Sequence, residues 1–154
     1  MSAHTCTSAD LDGLASQLEG EFHCHETMRS LYATDASEYQ EQPLAMALPR
    51  TEGDLAQLVA FARRHGLGLI PRAAGTSLAG QVVGPGSVVD VGRHLNRILA
   101  VDAPRRRGRV KPGVVRNELN LALKPYRLFF APETSTPNRA MIGGMVGNNS
   151  CGAN

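Results

Sequence analysis

Apolar positions recur with helical spacing in three stretches of the chain and cluster in short runs between them. Leu11, Leu14, Ala15, Leu18 and Phe22 fall at i, i+3, i+4, i+7 and i+11, which predicts an amphipathic helix over residues 8–22 capped by Ser8 or Asp10. Residues 51–65 form the clearest helical pattern. Thr51 can cap it, Glu52 and Asp54 occupy the first turn, Arg63, Arg64 and His65 the last, and Gly66 supplies a left-handed stop. Leu55, Leu58, Val59 and Ala62 would form its inward face. A third helix is predicted over 114–124, with Val115, Leu119, Ala122 and Leu123 on one side and Pro125 ending it.

Short apolar runs predict strands at 44–48 (between Pro43 and Pro49), 67–70, 87–91, 98–101, 109–111 and 128–130. The order strand, helix, strand across 44–70 predicts a parallel pair. Residues 23–42 read as a polar, irregular connector, and the chain from Ala131 onward as loop. The implied fold class is α+β. There is no internal repeat and no low-complexity tract.

Composition narrows the function classes. With 154 residues the chain has the length of one ordinary domain, and 42% hydrophobic with 19% charged residues is a globular profile. No run approaches the ~20 apolar residues that span a bilayer, so no transmembrane segment is expected. Residues 1–13 lack the basic start and apolar core of a secretory signal. Cys6, Cys24 and Cys151 are too few and too spread for a disulfide framework, which points to a reducing, cytoplasmic setting. A net charge of +2, 5% aromatic residues and no Trp argue against a nucleic-acid partner. The chain stops inside a Gly/Asn-rich cluster, which reads as a fragment of a longer chain.

Two clusters carry chemistry. In the first, residues 70–81, a strand feeds a small-residue loop holding Gly75, Thr76, Ser77 and Gly80, whose backbone N–H groups a ligand can approach closely. Gly75 and Gly80 have P-loop spacing, but Gln81-Val82 stands where Lys and Ser or Thr are required. Neither Gly66-Leu67-Gly68 nor Gly84-Pro85-Gly86 completes a dinucleotide fingerprint. A structural loop and a phosphate cradle therefore remain equal readings of these residues. The second cluster joins Pro132, Glu133, Thr134 and Ser135 to Ile142-Gly143-Gly144 and Asn148-Asn149-Ser150, small and amide residues rich in donors and acceptors. His23-Cys24-His25 has poor spacing for a closed metal site. The arginines at 105–107 and 109 read as a solvated hairpin turn, and Cys151 as a small packed side chain.

Taken in order, these segments resemble the FAD-binding domain of the vanillyl-alcohol oxidase/p-cresol methylhydroxylase flavoproteins. Residues 71–80 resemble the family's P-x-x-G-T-S-x-x-G pyrophosphate loop. Residues 90–98 resemble its strand-and-turn segment D-L-s-r-l-n-r-I, and 110–114 its v-x-P-G-v segment. Residues 132–135 and 142–144 resemble two further FAD-contacting stretches. The lead-in from Tyr32 to Tyr39 is similar to that of the glycolate/D-lactate dehydrogenase branch. The resemblance covers about residues 28–154.

It implies two α/β subdomains with FAD between them: 1–42 a helix and lead-in, 43–93 the first subdomain, and 94–154 the start of a second, incomplete one. Pro71, Arg72, Ala73, Ala74, Gly75, Thr76, Ser77 and Gly80 would line the pyrophosphate. Pro132, Glu133, Ser135, Gly143, Gly144, Asn148, Ser150 and Gly152 would approach the ribityl chain and flavin. Ala73 and Ala74 replace glycines common in the family, so the turn must tolerate a Cβ. Thr76 stands where covalently flavinylated relatives carry His, implying non-covalent FAD. The implied activity is oxidation of a small D-2-hydroxy acid (lactate, glycolate or 2-hydroxyglutarate type) by hydride transfer to FAD. A sugar-lactone oxidase, an alkylglycerone-phosphate synthase type or a non-catalytic binding module are the alternatives. The wording of 142–152 is similar to large bacterial members, which implies an FAD-linked oxidase domain and an iron–sulfur cluster beyond this chain. The electron acceptor (a quinone, a cytochrome or another) stays open, as does a location peripheral to the inner face of the membrane. In this family the base and any carboxylate-binding Arg or metal belong to that further portion. No catalytic residue and no metal ligand is assigned here.

Overall fold

Thr7 and Asp10 close a capping box at the first element of the computed structural model, which describes residues 6–150. The Thr7 Oγ1 accepts the Asp10 N–H at 3.3 Å and the Asp10 carboxylate accepts the Thr7 N–H at 2.8 Å. Helix α1 (Ser8–Ala15) follows and stops well short of Phe22, and its cap is Thr7 rather than Ser8 or Asp10. The reason lies just downstream. Gly20 passes so close to β2 that a Cβ there would run into the Leu48 carbonyl oxygen, and β1 (Glu21–His23) pairs antiparallel with β2 (Ala45–Leu48), Phe22 opposite Ala47. Ladder hydrogen bonds thus claim residues that helical periodicity had assigned to α1. The expected irregular connector also contains a helix, α2 (Glu26–Leu31), whose six residues are too few for helical periodicity to stand out and none of which is fully buried.

Helix α3 (Glu52–His65) has the predicted ends: a Thr51–Asp54 capping box and Gly66 at φ +64. Leu58 and Ala62 are buried, but Val59 is 58% exposed, and the deeply buried position is Asp54 instead. Its carboxylate accepts the backbone N–H groups of Arg50 (2.8 Å), Glu19 (2.9 Å), Gly20 (3.0 Å) and Thr51 (3.3 Å). Burial pushes this carboxyl upward, yet the N–H groups outweigh it and hold Asp54 below the usual carboxylate range.

β3 (Leu69–Arg72) and β4 (Ser87–Asp90) complete a sheet of order β1-β2-β4-β3. β2 and β3 run parallel, as expected, but each pairs with β4 rather than with the other, through Ala47↔Val89 and Pro71↔Val89. Buried Val88 and Val89 explain why β4 takes a central place. Pro71 lies in an edge strand, where a residue without an N–H is tolerated. Met46, Leu48 and Val88 form the core, with Ile70, Met28 and Tyr32 packed around it.

The described residues divide into two units. One runs up to Arg72 and includes Ser77–Asp90; the other comprises Ala73–Thr76 and the chain from Val91 onward. In the second, β5 (Ile98–Asp102) and β6 (Arg107–Val110) form an antiparallel hairpin whose turn carries Arg106 at φ +52. Helix α4 (Arg116–Leu123) begins later than predicted, because Val115 is its extended N-cap, and a 3-10 turn (Lys124–Tyr126) containing Pro125 follows. Its buried side chains are Arg116, Leu119 and Leu123. Residues 128–130 form no strand. The Asn120 side chain accepts the Phe130 N–H at 2.7 Å and donates to its carbonyl at 3.4 Å, replacing a ladder. The expected terminal loop contains a helix, α5 (Ile142–Gly147), that buries Met145. Val114, Leu119 and Leu123 centre the core of this unit.

Candidate cofactor-binding site

The loop after β3 makes its turns at two glycines, Gly75 (φ +64) and Gly80 (φ +65). Ala73 and Ala74 keep negative φ, so their Cβ atoms meet no backbone conflict. Among the described residues, the N–H groups of Gly75, Thr76 and Ser77 donate to no protein acceptor, while Ser77 Oγ accepts the Ala79 N–H at 3.1 Å. Gly80 is covered by Tyr39: a Cβ on Gly80 would stand 2.7 Å from the ring Cδ2.

Arg72 at the end of β3 faces the lead-in segment. Its Nη1 donates to the carbonyls of Thr34 (2.7 Å) and Tyr32 (3.4 Å), and its guanidinium lies over the Tyr32 ring. Next to it, Asp35 accepts the N–H of Ser37 at 2.8 Å and also its hydroxyl. Burial pushes the Asp35 carboxyl up, but Ser37, the Val82 N–H and the Arg72 charge together hold it below the usual range.

In the second unit, the 110–114 and 142–144 segments share one backbone frame. Gly143 N–H donates to Pro112 O at 2.8 Å, Ile142 N–H to Val114 O at 2.9 Å, and Arg116 N–H to Ala140 O at 2.9 Å. A Cβ on Gly143 would meet Pro112 Cβ at 2.5 Å, and one on Gly144 would meet Ala73 Cβ at 3.1 Å. Ala73, from the loop after β3, and the Gly143-Gly144 pair are therefore neighbours.

Pro132 and Glu133 are held by a residue that sequence reasoning passed over. Arg116, 6% exposed, donates from Nε to Pro132 O at 2.7 Å and from Nη2 to Glu133 Oε1. The signal was available: Arg116, Leu119 and Leu123 share the i, i+3, i+7 stripe. The adjacent Thr134 Oγ1 is buried without a hydrogen-bond partner. Ser135 and Asn148 are exposed, and Ser150 N–H donates to Met145 O at 2.8 Å. Gly152 and Cys151 lie outside the described residues. No helix among the described residues is long and apolar enough to cross a membrane.

A family model described as an FAD binding domain matches residues 43–154. This chain belongs to that FAD binding domain family. Among proteins similar to this FAD binding domain, the D-2-hydroxyglutarate dehydrogenase of Pseudomonas putida is 41% identical over 140 residues, covering 89% of this chain and 14% of the dehydrogenase. The glycolate oxidase subunit GlcD of Bacillus subtilis is 31% identical over 126 residues, 80% of this chain and 27% of the subunit. The chain thus spans about a seventh of the former and about a quarter of the latter. A solved structure of an alkyldihydroxyacetonephosphate synthase superposes with a TM-score of 0.82 over 99% of this chain and 32% of its own, at 16% identity, which establishes the shared fold.

Proposed function

We propose that this chain is the FAD-binding part of a flavin-dependent oxidoreductase that oxidises a D-2-hydroxy acid of the 2-hydroxyglutarate, glycolate or D-lactate type. The observation that carries this reading is the 41% identity to a D-2-hydroxyglutarate dehydrogenase along 89% of the chain. In it, residues 43–93 and 94–154 serve as the two FAD-binding subdomains, with 1–42 as lead-in.

The residues present fit the cofactor. The N–H groups of Gly75, Thr76 and Ser77 meet no acceptor among the described residues, and a diphosphate has the oxygens to accept from them. The buried Thr134 hydroxyl is a second unmet group, and Gly143 and Gly144 keep the backbone bare. When bound, FAD supplies an isoalloxazine that accepts hydride from the substrate carbon. Pro71, Arg72, Ala73, Ala74, Gly75, Thr76, Ser77 and Gly80 would hold the pyrophosphate; Pro132, Glu133, Ser135, Gly143, Gly144, Asn148 and Ser150, with Gly152 outside the described residues, would serve the ribityl chain and ring. Thr76 offers no imidazole for a flavin linkage, so FAD would be held non-covalently at this loop. A quinone, a cytochrome or another acceptor would take up the electrons, and an iron–sulfur cluster in a region outside this chain would supply one-electron chemistry.

The test is the visible spectrum of the product of the natural gene, before and after denaturation and filtration, followed by dye-linked assays with D-2-hydroxyglutarate, glycolate and D-lactate. Flavin in the filtrate and reduction of the dye by one of the three acids support the reading. Flavin retained on the polypeptide overturns the role of Thr76. A flavoprotein inert towards all three overturns the substrate class.

A further inference from the structure

Away from the cofactor residues, Cys6, Asp10 and His65 bring three ligand atoms of different chemistry within 4.8 Å of one another. They come from the N-terminal end of α1 and the last residue of α3, and each is half-buried. Two of them are held in orientation by protein contacts. The Asp10 Oδ2 accepts the Thr7 N–H at 2.8 Å and the Thr7 hydroxyl at 2.6 Å. The His65 ring stacks on Phe61 with centroids 4.3 Å apart. Such outer contacts pre-orient metal ligands.

A second observation points to a missing ligand. The His65 Nδ1 is buried and has no hydrogen-bond partner. Gln57 Oε1 is buried and unpartnered too, and with Asp10 and His65 it lines a cleft of about 270 Å³. Buried polar atoms are nearly always satisfied, so two orphans in one cleft call for an occupant.

We propose that Cys6, Asp10 and His65 bind a divalent metal of the zinc class, with water in a fourth position. A tetrahedral zinc ion bonds S, N and O at about 2.0–2.3 Å, which sets its ligand atoms roughly 3–4 Å apart. A bound ion would draw the three ligand atoms, already within 4.8 Å of one another, into that range. A thiol and an imidazole in the set select zinc, cobalt or nickel over magnesium and calcium, which take oxygen ligands. Bound metal ties the start of α1 to the end of α3 and stabilises the first unit by mass action.

Cobalt(II) titrated into the reduced 154-residue chain tests this by visible absorption, and zinc by thermal melting. One equivalent of cobalt giving tetrahedral d–d bands with a thiolate charge-transfer band is expected, together with a rise in Tm on adding zinc. Cys6→Ser and His65→Gln, each checked for native circular dichroism, should weaken cobalt binding about tenfold or more, and Cys24→Ser should leave it unchanged. No uptake at micromolar cobalt overturns the proposal. So does a charge-transfer band that survives Cys6→Ser or vanishes with Cys24→Ser, which would move the thiolate to the His23-Cys24-His25 segment.

Discussion

The hydroxyl of Tyr32 donates to Asp90 Oδ2 at 2.7 Å, while the Arg72 guanidinium lies 5.1 Å from the centroid of the same ring. Arg72 and Asp90 are themselves register partners at the ends of β3 and β4. One aromatic residue of the lead-in thereby fixes the point where β3 gives way to the small-residue loop. Tyr32→Phe should lower stability by about 1 kcal/mol through loss of the hydrogen bond. Tyr32→Ala should cost about 3 kcal/mol through loss of the ring. Urea midpoints give the stability, and an FAD titration of each variant tests whether the loop has been released.

Asp54 is the group through which acid should act. Its folded-state carboxyl lies below its unfolded value, because four backbone N–H groups favour the charged form. The stability it contributes is complete above the unfolded pKa and is lost as pH falls through the folded one. Urea midpoints should therefore drop below about pH 5. Asp54→Asn should lose about 2–3 kcal/mol at neutral pH, with a flatter profile in acid. An unchanged acid limb in that variant would mean another carboxylate dominates.

Gly80 combines two separable costs. A side chain there must adopt φ +65 and must displace the Tyr39 ring. Gly80→Ala should destabilise by about 1–2 kcal/mol for the left-handed backbone plus the displaced ring. Tyr39 is 56% exposed, so its ring can be removed with little other damage. In a double-mutant cycle, Tyr39→Ala should recover only the part due to the ring.

Arg116 holds two acceptors at once, Pro132 O and the Glu133 carboxylate. Lysine cannot reproduce that fork. Arg116→Lys should cost about 1–2 kcal/mol, moderated because Glu133 is half-exposed. It should also weaken FAD binding if the 132–135 stretch contacts the cofactor. An unaltered FAD affinity would confine this pair to a structural role.

What could be read from the sequence follows from how local each signal is. Helix α3 was legible because Thr51, Asp54 and Gly66 state both ends within the segment itself. Helix α5 was not, since three of its residues are Gly143, Gly144 and Gly147 and its order comes from distant partners such as Pro112 O. Residues 128–130 misled because apolar character predicts burial, whereas the strand state needs a neighbour, and Asn120 supplied the hydrogen bonds instead. The small-residue loop and its glycine turns were visible in advance. The supports of the candidate site were not: Tyr39 against Gly80, and Arg116 against Pro132 and Glu133, are long-range contacts that no short window contains.

The place of Pro71 has a consequence for the molecule among its own copies. β3 closes one side of the four-stranded sheet, and an unguarded side strand is a template on which another chain can extend the ladder. A proline in the middle of that strand removes a donor that such an addition would need. A single ring just ahead of the small-residue loop thus discourages open-ended self-association.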